Sequence, residues 1–127
     1  MEIDNIIRLP HVISQKEYTK MGNLAPNTAG QRIRNGWVAA TKIEGRWFID
    51  IEKSPPNESY RGIKKTRRRG VAMPSGVRRS QLVHLRGFAR KSRHKASYYY
   101  NAILTGHLFA LVLGDEVFIH KDEAEKL

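Results

Sequence analysis

Apolar and polar positions in the first third of the chain follow a helical spacing. Ser14 is followed three residues later by Glu17, which is the capping-box pattern that begins a helix. Pro26 suits the first turn of a second helix, and Gly36 suits its end. The pattern therefore predicts two short helices, at residues 14–21 and 26–35.

The next two runs are rich in β-forming side chains and are separated by two turn residues. Residues 39–43 and 46–50 are typical of strands, and Glu44 and Gly45 between them suit a tight hairpin turn. Of the two adjacent aromatic residues on the second strand, Phe48 is the one expected in the core. Two helices followed by a hairpin is the element order of a winged helix-turn-helix.

The C-terminal part of the chain repeats this pattern at an offset of 70 residues. Five identical pairs result without a gap: Ile33 and Ile103, Gly36 and Gly106, Ala40 and Ala110, Phe48 and Phe118, Ile49 and Ile119. The repeat predicts a second set of elements: helices at residues 80–89 and 97–105, strands at 110–113 and 116–119, and a closing helix at 121–127. The alternative is a single domain followed by a basic tail and a separate amphipathic hairpin.

Charge is concentrated in the middle of the chain. Lys and Arg number 23 against 12 Asp and Glu, for a formal net charge of +11. Residues 54–97 hold 13 basic and one acidic side chain, whereas residues 1–53 hold 8 and 6 and residues 98–127 hold 2 and 5. Proline, glycine and like charges oppose a packed core at the start of the basic segment. We predict an α+β protein with two small winged helix-turn-helix domains, at residues 1–53 and 80–127, joined by a basic linker at residues 54–79.

The positive charge favours a polyanionic partner, with nucleic acid first and an anionic membrane surface second. The chain has no cysteine, which excludes disulfides, thiolate catalysis and cysteine-based zinc sites. No apolar run approaches the roughly 18 residues that span a bilayer, and the acidic N-terminal segment is unlike a secretory signal. We therefore expect a cytoplasmic, nucleoid-associated protein with no membrane partner.

Three strings carry a resemblance to a known family: residues 13–18 (ISQKEY), 28–36 (TAGQRIRNG) and 43–49 (IEGRWFI). Over residues 12–53 the chain is similar to the excisionase-type winged helix, which is related to the DNA-binding domain of MerR-type regulators. In that family the second helix enters the major groove, and the hairpin wing lies along the backbone or minor groove. The resemblance implies a sequence-specific double-stranded DNA-binding protein of a mobile element. It would act as an architectural factor in DNA recombination or as a transcriptional regulator.

Polar and basic side chains on the second helix carry the predicted base recognition. Arginine and glutamine form paired hydrogen bonds with guanine and adenine edges, so Gln31, Arg32 and Arg34 are expected to read the major groove. Cations on the first wing and in the linker are expected to contact phosphates or a minor groove. The full set of predicted DNA-binding residues is Asn27, Thr28, Gln31, Arg32, Arg34, Lys42, Arg46, Lys64, Lys65, Arg67, Arg68, Arg69, Arg78, Arg79, Arg90, Lys91, Arg93, Lys95, Tyr98 and Asn101.

The second wing differs from the first in the sign of its charge. Asp115 and Glu116 stand at its tip, where the first wing has basic neighbours. A duplex would repel two carboxylates, so this wing is expected to face a protein or solvent. Self-association along DNA and contact with an integrase or another protein through the second domain are therefore the partners expected besides duplex DNA.

Catalysis finds little support in the sequence. The five histidines are scattered without metal-ligand spacing, and no Ser-His-Asp set or phosphate-binding glycine loop can be assigned. We expect no enzyme, no cofactor and no metal. Two other functions stay open: a basic RNA-binding or ribosome-associated protein, and a protein adaptor that uses the acidic second wing.

Overall fold

The computed structural model describes residues 5–60, 70–74 and 76–127. In these residues the fold is mixed α+β, with five α-helices and seven strands in two sheets, which confirms the predicted class. The chain divides into a first unit, His11–Ala72, and a second unit formed by Met1–Pro10 with Met73–Leu127. The elements in chain order are β1 (Ile6–Leu9), β2 (Val12–Ser14), α1 (Gln15–Met21), α2 (Thr28–Arg34), β3 (Ala40–Ile43), β4 (Arg46–Asp50), β5 (Leu82–His84), α3 (Leu85–Lys91), α4 (Ala96–Leu104), β6 (Ala110–Leu113), β7 (Glu116–His120) and α5 (Lys121–Glu125), with one turn of 3-10 helix at Arg79–Gln81.

The two helices of the first unit are confirmed, with α2 slightly shorter than predicted. The Ser14 hydroxyl oxygen accepts a hydrogen bond of 3.2 Å from the backbone N–H of Glu17, which caps α1. Beyond the end of α2, Gly36 has a φ of +72°, in the left-handed region that glycine adopts without steric cost. Ala29 and Ile33, an i, i+4 pair on α2, face inward and are buried.

The first hairpin, β3 with β4, is also confirmed. Ile43 pairs with Arg46, so Glu44 and Gly45 form a two-residue turn. Both turn residues have positive φ, +51° and +77°, which is the geometry whose twist matches antiparallel strands. β2 pairs with the other edge of β4, giving the order β2-β4-β3. Phe48 is fully buried in this unit, as expected.

Residues 54–60 pack on the first unit. The Ser54 hydroxyl oxygen accepts a 2.8 Å hydrogen bond from the backbone N–H of Ala39, and both Ser54 and Tyr60 are buried. The folded unit therefore continues past the point where the sequence predicts the linker to begin. The basic run at residues 61–69 lies outside the described residues.

The second unit repeats the element order of the first. β5, α3, β6 and β7 have bounds that are each 70 residues beyond those of β2, α1, β3 and β4, and α4 starts two residues earlier than the shifted α2. Gly106 follows α4 with a φ of +82°, as Gly36 follows α2. The repeated apolar positions are buried in both units: Ile33 and Ile103, Ala40 and Ala110, Phe48 and Phe118, Ile49 and Ile119.

The start of the second unit differs from the prediction. The repeat predicts a helix at residues 80–89, but the structure has a 3-10 turn and then β5 before α3 begins at Leu85. β5 forms a strand because it pairs antiparallel with β7, with Val83 opposite Ile119. The closing helix expected at residues 121–127 is present as α5.

The N-terminal strand joins the sheet of the second unit. β1 lies parallel to β6, so the sheet order is β1-β6-β7-β5. Just before β1, Asn5 donates from Nδ2 to the carbonyl oxygens of Ile103 and Leu108, each at 2.7 Å. The sequence pattern predicts residues 1–53 as the first domain, whereas this pairing places β1 with the second unit.

Candidate nucleic-acid interface

One face of α2 is polar and open. The i, i+3, i+4, i+7 spacing aligns four positions on it: Asn27, Gly30, Gln31 and Arg34. The three side chains are exposed, and a Cβ placed on Gly30 would lie 3.5 Å from Arg34 Nη1 and from Gln15 Nε2. Amide and guanidinium groups therefore flank the half-buried Gly30, which adds no side chain of its own between them and a base edge.

A cationic groove adjoins this face. It lies between α1, the start of α2 and the turn of the first hairpin, and we call it the first groove. Its lining residues are Ser14, Gln15, Lys16, Thr19, Lys20, Pro26, Gly45, Arg46 and Trp47. Lys16, Lys20 and Arg46 bring three positive charges to it, and none of its described lining residues is acidic. Such a groove is suited to the phosphates of a nucleic-acid backbone.

Lys16 and Lys20 are site residues that sequence reasoning missed. Their i, i+4 spacing on the exposed side of α1 was the available signal, but an exposed lysine pair is common on any helix. Their position opposite Arg46 becomes visible only when the hairpin folds back beside α1. Lys20 also lies 3.9 Å from Glu17, an exposed pair that contributes little.

The two cations predicted on the first hairpin rest on aromatic rings. Lys42 Nζ lies 5.7 Å from the centroid of the Trp47 ring, and Arg46 Cζ lies 5.4 Å from that of Phe48. Both cations are exposed, whereas Trp47 is half-buried. The rings therefore orient two charges beside the groove without removing them from solvent.

Arg32 is not on the exposed face, and its predicted role in reading bases is wrong. It is 8% exposed, and its Nη1 donates to the Tyr18 hydroxyl at 2.7 Å and to the Pro56 carbonyl at 2.8 Å. Its Nη2 donates to the carbonyl of Glu58 at 3.2 Å. Arg32 lies beside Ala29 on the inward side of α2, so its donors serve the fold.

Tyr60 completes the environment of this buried arginine. The Arg32 guanidinium carbon lies 4.5 Å from the centroid of the Tyr60 ring, and Trp37 stacks near the same ring at 6.3 Å. Burial raises the pKa of Tyr60 to about 12, with Tyr18 and Glu58 acting in the same direction and Arg32 against it. The phenol therefore stays neutral well above the ordinary tyrosine range.

The second unit has a groove at the equivalent place, between α3 and α4, which we call the second groove. It is lined by Arg86, Ala89, Arg90, Ser92, Arg93, His94, Lys95, Ala96 and Tyr100. Arg86 and Arg90 stand 70 residues after Lys16 and Lys20, so the basic pair on the first helix is present in both units. The second hairpin does not line this groove.

The predicted aromatic contact Tyr98 stacks on a histidine. Its ring lies 3.8 Å from the His94 ring, with an angle of 14° between the planes, and Tyr98 is 41% exposed. Tyr99, the next residue, is buried. Asn101 lies on the exposed side of α4, near the strongly exposed Leu104.

The carboxylates of the second hairpin differ from each other. Asp115 is exposed. Glu116 Oε1 lies 3.4 Å from Nε2 of His84, and both of these side chains are partly buried. Glu116 therefore contacts its own sheet. This differs from the expectation that both carboxylates face a protein or solvent.

The other predicted cations fall into two groups. Arg78, Arg79, Lys91 and Lys95 are exposed on the second unit. Five residues of the predicted linker lie outside the described residues: Lys64, Lys65, Arg67, Arg68 and Arg69. In the first unit, Thr28 is half-buried at the start of α2.

No protein-family model matches the chain, and no curated protein matches it. In the described residues, no group of three or more His, Asp or Glu side chains is placed to hold a metal ion. The same part of the chain contains no helix with the length and apolar composition that crossing a membrane requires. The function is therefore inferred from the residues and their geometry.

Proposed function

We propose that the first unit is a winged helix-turn-helix that binds double-stranded DNA in a sequence-specific manner. The open face of α2 enters the major groove, where Gln31 and Arg34 contact base edges. The first groove receives the backbone beside it, and the first hairpin acts as the wing. The protein acts by binding and not by catalysis.

One observation carries this proposal: a polar, exposed helix face and a cationic groove adjoin each other on one small unit. Gln15 lines the first groove and also lies beside Gly30 on the α2 face. A duplex presents base edges and phosphates side by side, so a ligand lying against α2 would place phosphates near Lys16 and Lys20. The polar face and the cations thus match the two parts of one ligand.

The repeated element order supports a second winged helix in the second unit. Its cations add attraction to the backbone, and its acidic hairpin is unsuited to a duplex. With the resemblance to excisionase-type proteins, this favours a factor that shapes DNA in recombination, or a regulator of transcription, on a mobile element.

Binding measurements on the full chain test the proposal. A duplex selected from a randomised pool is compared with a random duplex by fluorescence anisotropy. Arg34→Ala should weaken the selected duplex by about 5- to 150-fold and the random duplex far less, because one arginine paired with a base is worth ~1–3 kcal/mol of discrimination. The double change Lys16→Ala with Lys20→Ala should weaken both duplexes alike and reduce the salt slope by ~0.9 for each phosphate that is no longer neutralised.

Lys53→Ala is the matched control, since it removes one exposed charge from the first unit outside the groove lining. Its effect should be small on both duplexes. Failure to select any sequence, or equal losses for Arg34→Ala on both duplexes, would contradict sequence reading by α2. Tighter binding to a hairpin RNA than to every duplex would favour the RNA-binding alternative.

A further inference from the structure

The charged side chains that line the second groove are all cationic. Arg86 and Arg90 come from α3, and Arg93 and Lys95 come from the connection to α4. All four are exposed, and no described lining residue is acidic. The groove is therefore suited to several phosphates of one strand.

A fixed aromatic pair stands at this groove. His94 lines it, and Tyr98 covers one face of the His94 ring at 3.8 Å. The buried Tyr99 meets both rings edge-on, at 6.0 Å from His94 and 5.5 Å from Tyr98. Tyr98 is thus held in one orientation while 41% of its surface is exposed, which makes it a preformed surface for stacking.

The surroundings of the second groove do not suit a duplex. In the first unit the hairpin forms a wall of the groove through Gly45, Arg46 and Trp47, and the corresponding residues of the second unit are Asp115, Glu116 and Val117. These three do not line the second groove, and two of them are acidic. A second strand that reached this hairpin would meet negative charge.

The outer face of α4 keeps an amide side chain but lacks the guanidinium group that α2 presents. Shifted by 70 residues, Gln31 and Arg34 correspond to Asn101 and Leu104. Leu104 is 63% exposed and offers no hydrogen bond to a base edge. The second unit therefore combines phosphate binding with an exposed ring, and this combination matches a single strand with unstacked bases.

We infer that the second groove binds single-stranded DNA, with phosphates on the four cations and a base stacked on the Tyr98–His94 pair. The inference rests on the proposed function only in that both place DNA on this chain. The two sites are on different units and have different ligands, so each can fail alone.

The full chain is tested by fluorescence anisotropy on three probes: the selected duplex with blunt ends, a random duplex of the same length, and a twelve-nucleotide thymidine strand. Tyr98→Ala should weaken binding of the thymidine strand by about 5- to 150-fold, because each stacked base contributes ~1–3 kcal/mol. The blunt duplex should be unaffected. Tyr98→Phe keeps the ring and should bind the strand as the natural protein does.

Leu104→Ala is the matched control on α4, since it removes an exposed apolar side chain from the same helix and should change none of the three affinities. Tyr98→Trp provides a second readout. Both natural tryptophans, Trp37 and Trp47, lie in the first unit, so the added ring should show quenching by the thymidine strand beyond that of the natural protein.

The inference is overturned if Tyr98→Ala weakens the blunt duplex as much as the strand, or if the strand quenches the Tyr98→Trp variant no more than the natural protein. Tight blunt-duplex binding together with any of these results would leave the proposed function standing. Tyr98-dependent binding of the strand without binding of any duplex would support single-strand binding by the second groove and contradict the proposed function of the first unit.

Discussion

The guanidinium of Arg32 lies over the ring of Tyr60, with 4.5 Å between the guanidinium carbon and the ring centroid. The same guanidinium donates hydrogen bonds to the carbonyl oxygens of Pro56 and Glu58. One side chain of α2 thus holds residues 55–60 against the helix pair. An arginine that the sequence suggests as a DNA contact instead stabilises the unit that presents the contacts.

Arg32→Ala should lower the free energy of unfolding of the first unit by about 2–4 kcal/mol, because it leaves the buried Pro56 carbonyl and the buried Tyr18 hydroxyl without this donor. Arg34→Ala is the matched control: it removes the same side chain two positions later, where it is exposed, and should change stability by less than about 0.5 kcal/mol. Urea unfolding followed by tryptophan fluorescence measures this, since both tryptophans lie in the first unit. Equal stability of the two variants would contradict the structural role of Arg32.

Tyr60 should make the stability of the first unit depend on alkaline pH. Its pKa is about 12 in the folded state against 10.0 ordinarily, so between these values the folded state keeps a proton that the unfolded state loses. Tyr60 therefore contributes on the order of 2 kcal/mol to the free energy of unfolding below pH 10, and this contribution disappears as the pH rises through 12. Tyr60→Phe should remove that part of the slope in urea unfolding measured from pH 9 to 12. An unchanged slope in the Tyr60→Phe variant would contradict this role of Tyr60.

Alanine substitutions at two glycines within helices allow effects on stability and on DNA binding to be measured separately. A Cβ on Gly30 would make ordinary contacts at 3.5 Å, and one on Gly87 of α3 would meet nothing within 4 Å. Gly30→Ala and Gly87→Ala should each raise stability by ~0.5–1 kcal/mol, because alanine loses less backbone entropy in a helix.

Only Gly30→Ala should weaken the selected duplex, because its methyl group would stand where a base edge approaches α2. Anisotropy titrations with both variants test this difference. If Gly30→Ala proved more stable and still bound the duplex as tightly as Gly87→Ala, the α2 face would not be in close contact with DNA.

Asn5 should stabilise the second unit alone. Its Nδ2 donates to the carbonyl oxygen of Ile103, in the last turn of α4, and to that of Leu108, which follows the helix. Asn5→Ala should destabilise that unit by about 1–3 kcal/mol. Hydrogen exchange of the α4 amides should accelerate. The urea-unfolding midpoint of the first unit, followed by tryptophan fluorescence, should stay unchanged. Faster exchange in the first unit as well would indicate that β1 supports more than its own sheet.

The sequence by itself determined the helices, the hairpins and their repetition. Three kinds of local feature depend only on residues within a few positions of each other. They are the helix cap at Ser14, the positive φ of Gly36 and Gly106, and the two-residue turn at Gly45. Such local preferences act before any tertiary contact forms, so they can be read from the order of the side chains.

Only the tertiary structure decided which side chains are available at the candidate site. Arg32 is buried because carbonyl groups 24 and 26 residues later fold over it, and β1 leaves the first unit because it pairs with a strand near the other end of the chain. Lys16 and Lys20 become part of a cationic groove only because the hairpin brings Arg46 beside them. Packing and strand pairing between distant segments fix these contacts, and no local pattern of polar and apolar residues encodes which distant segment will arrive.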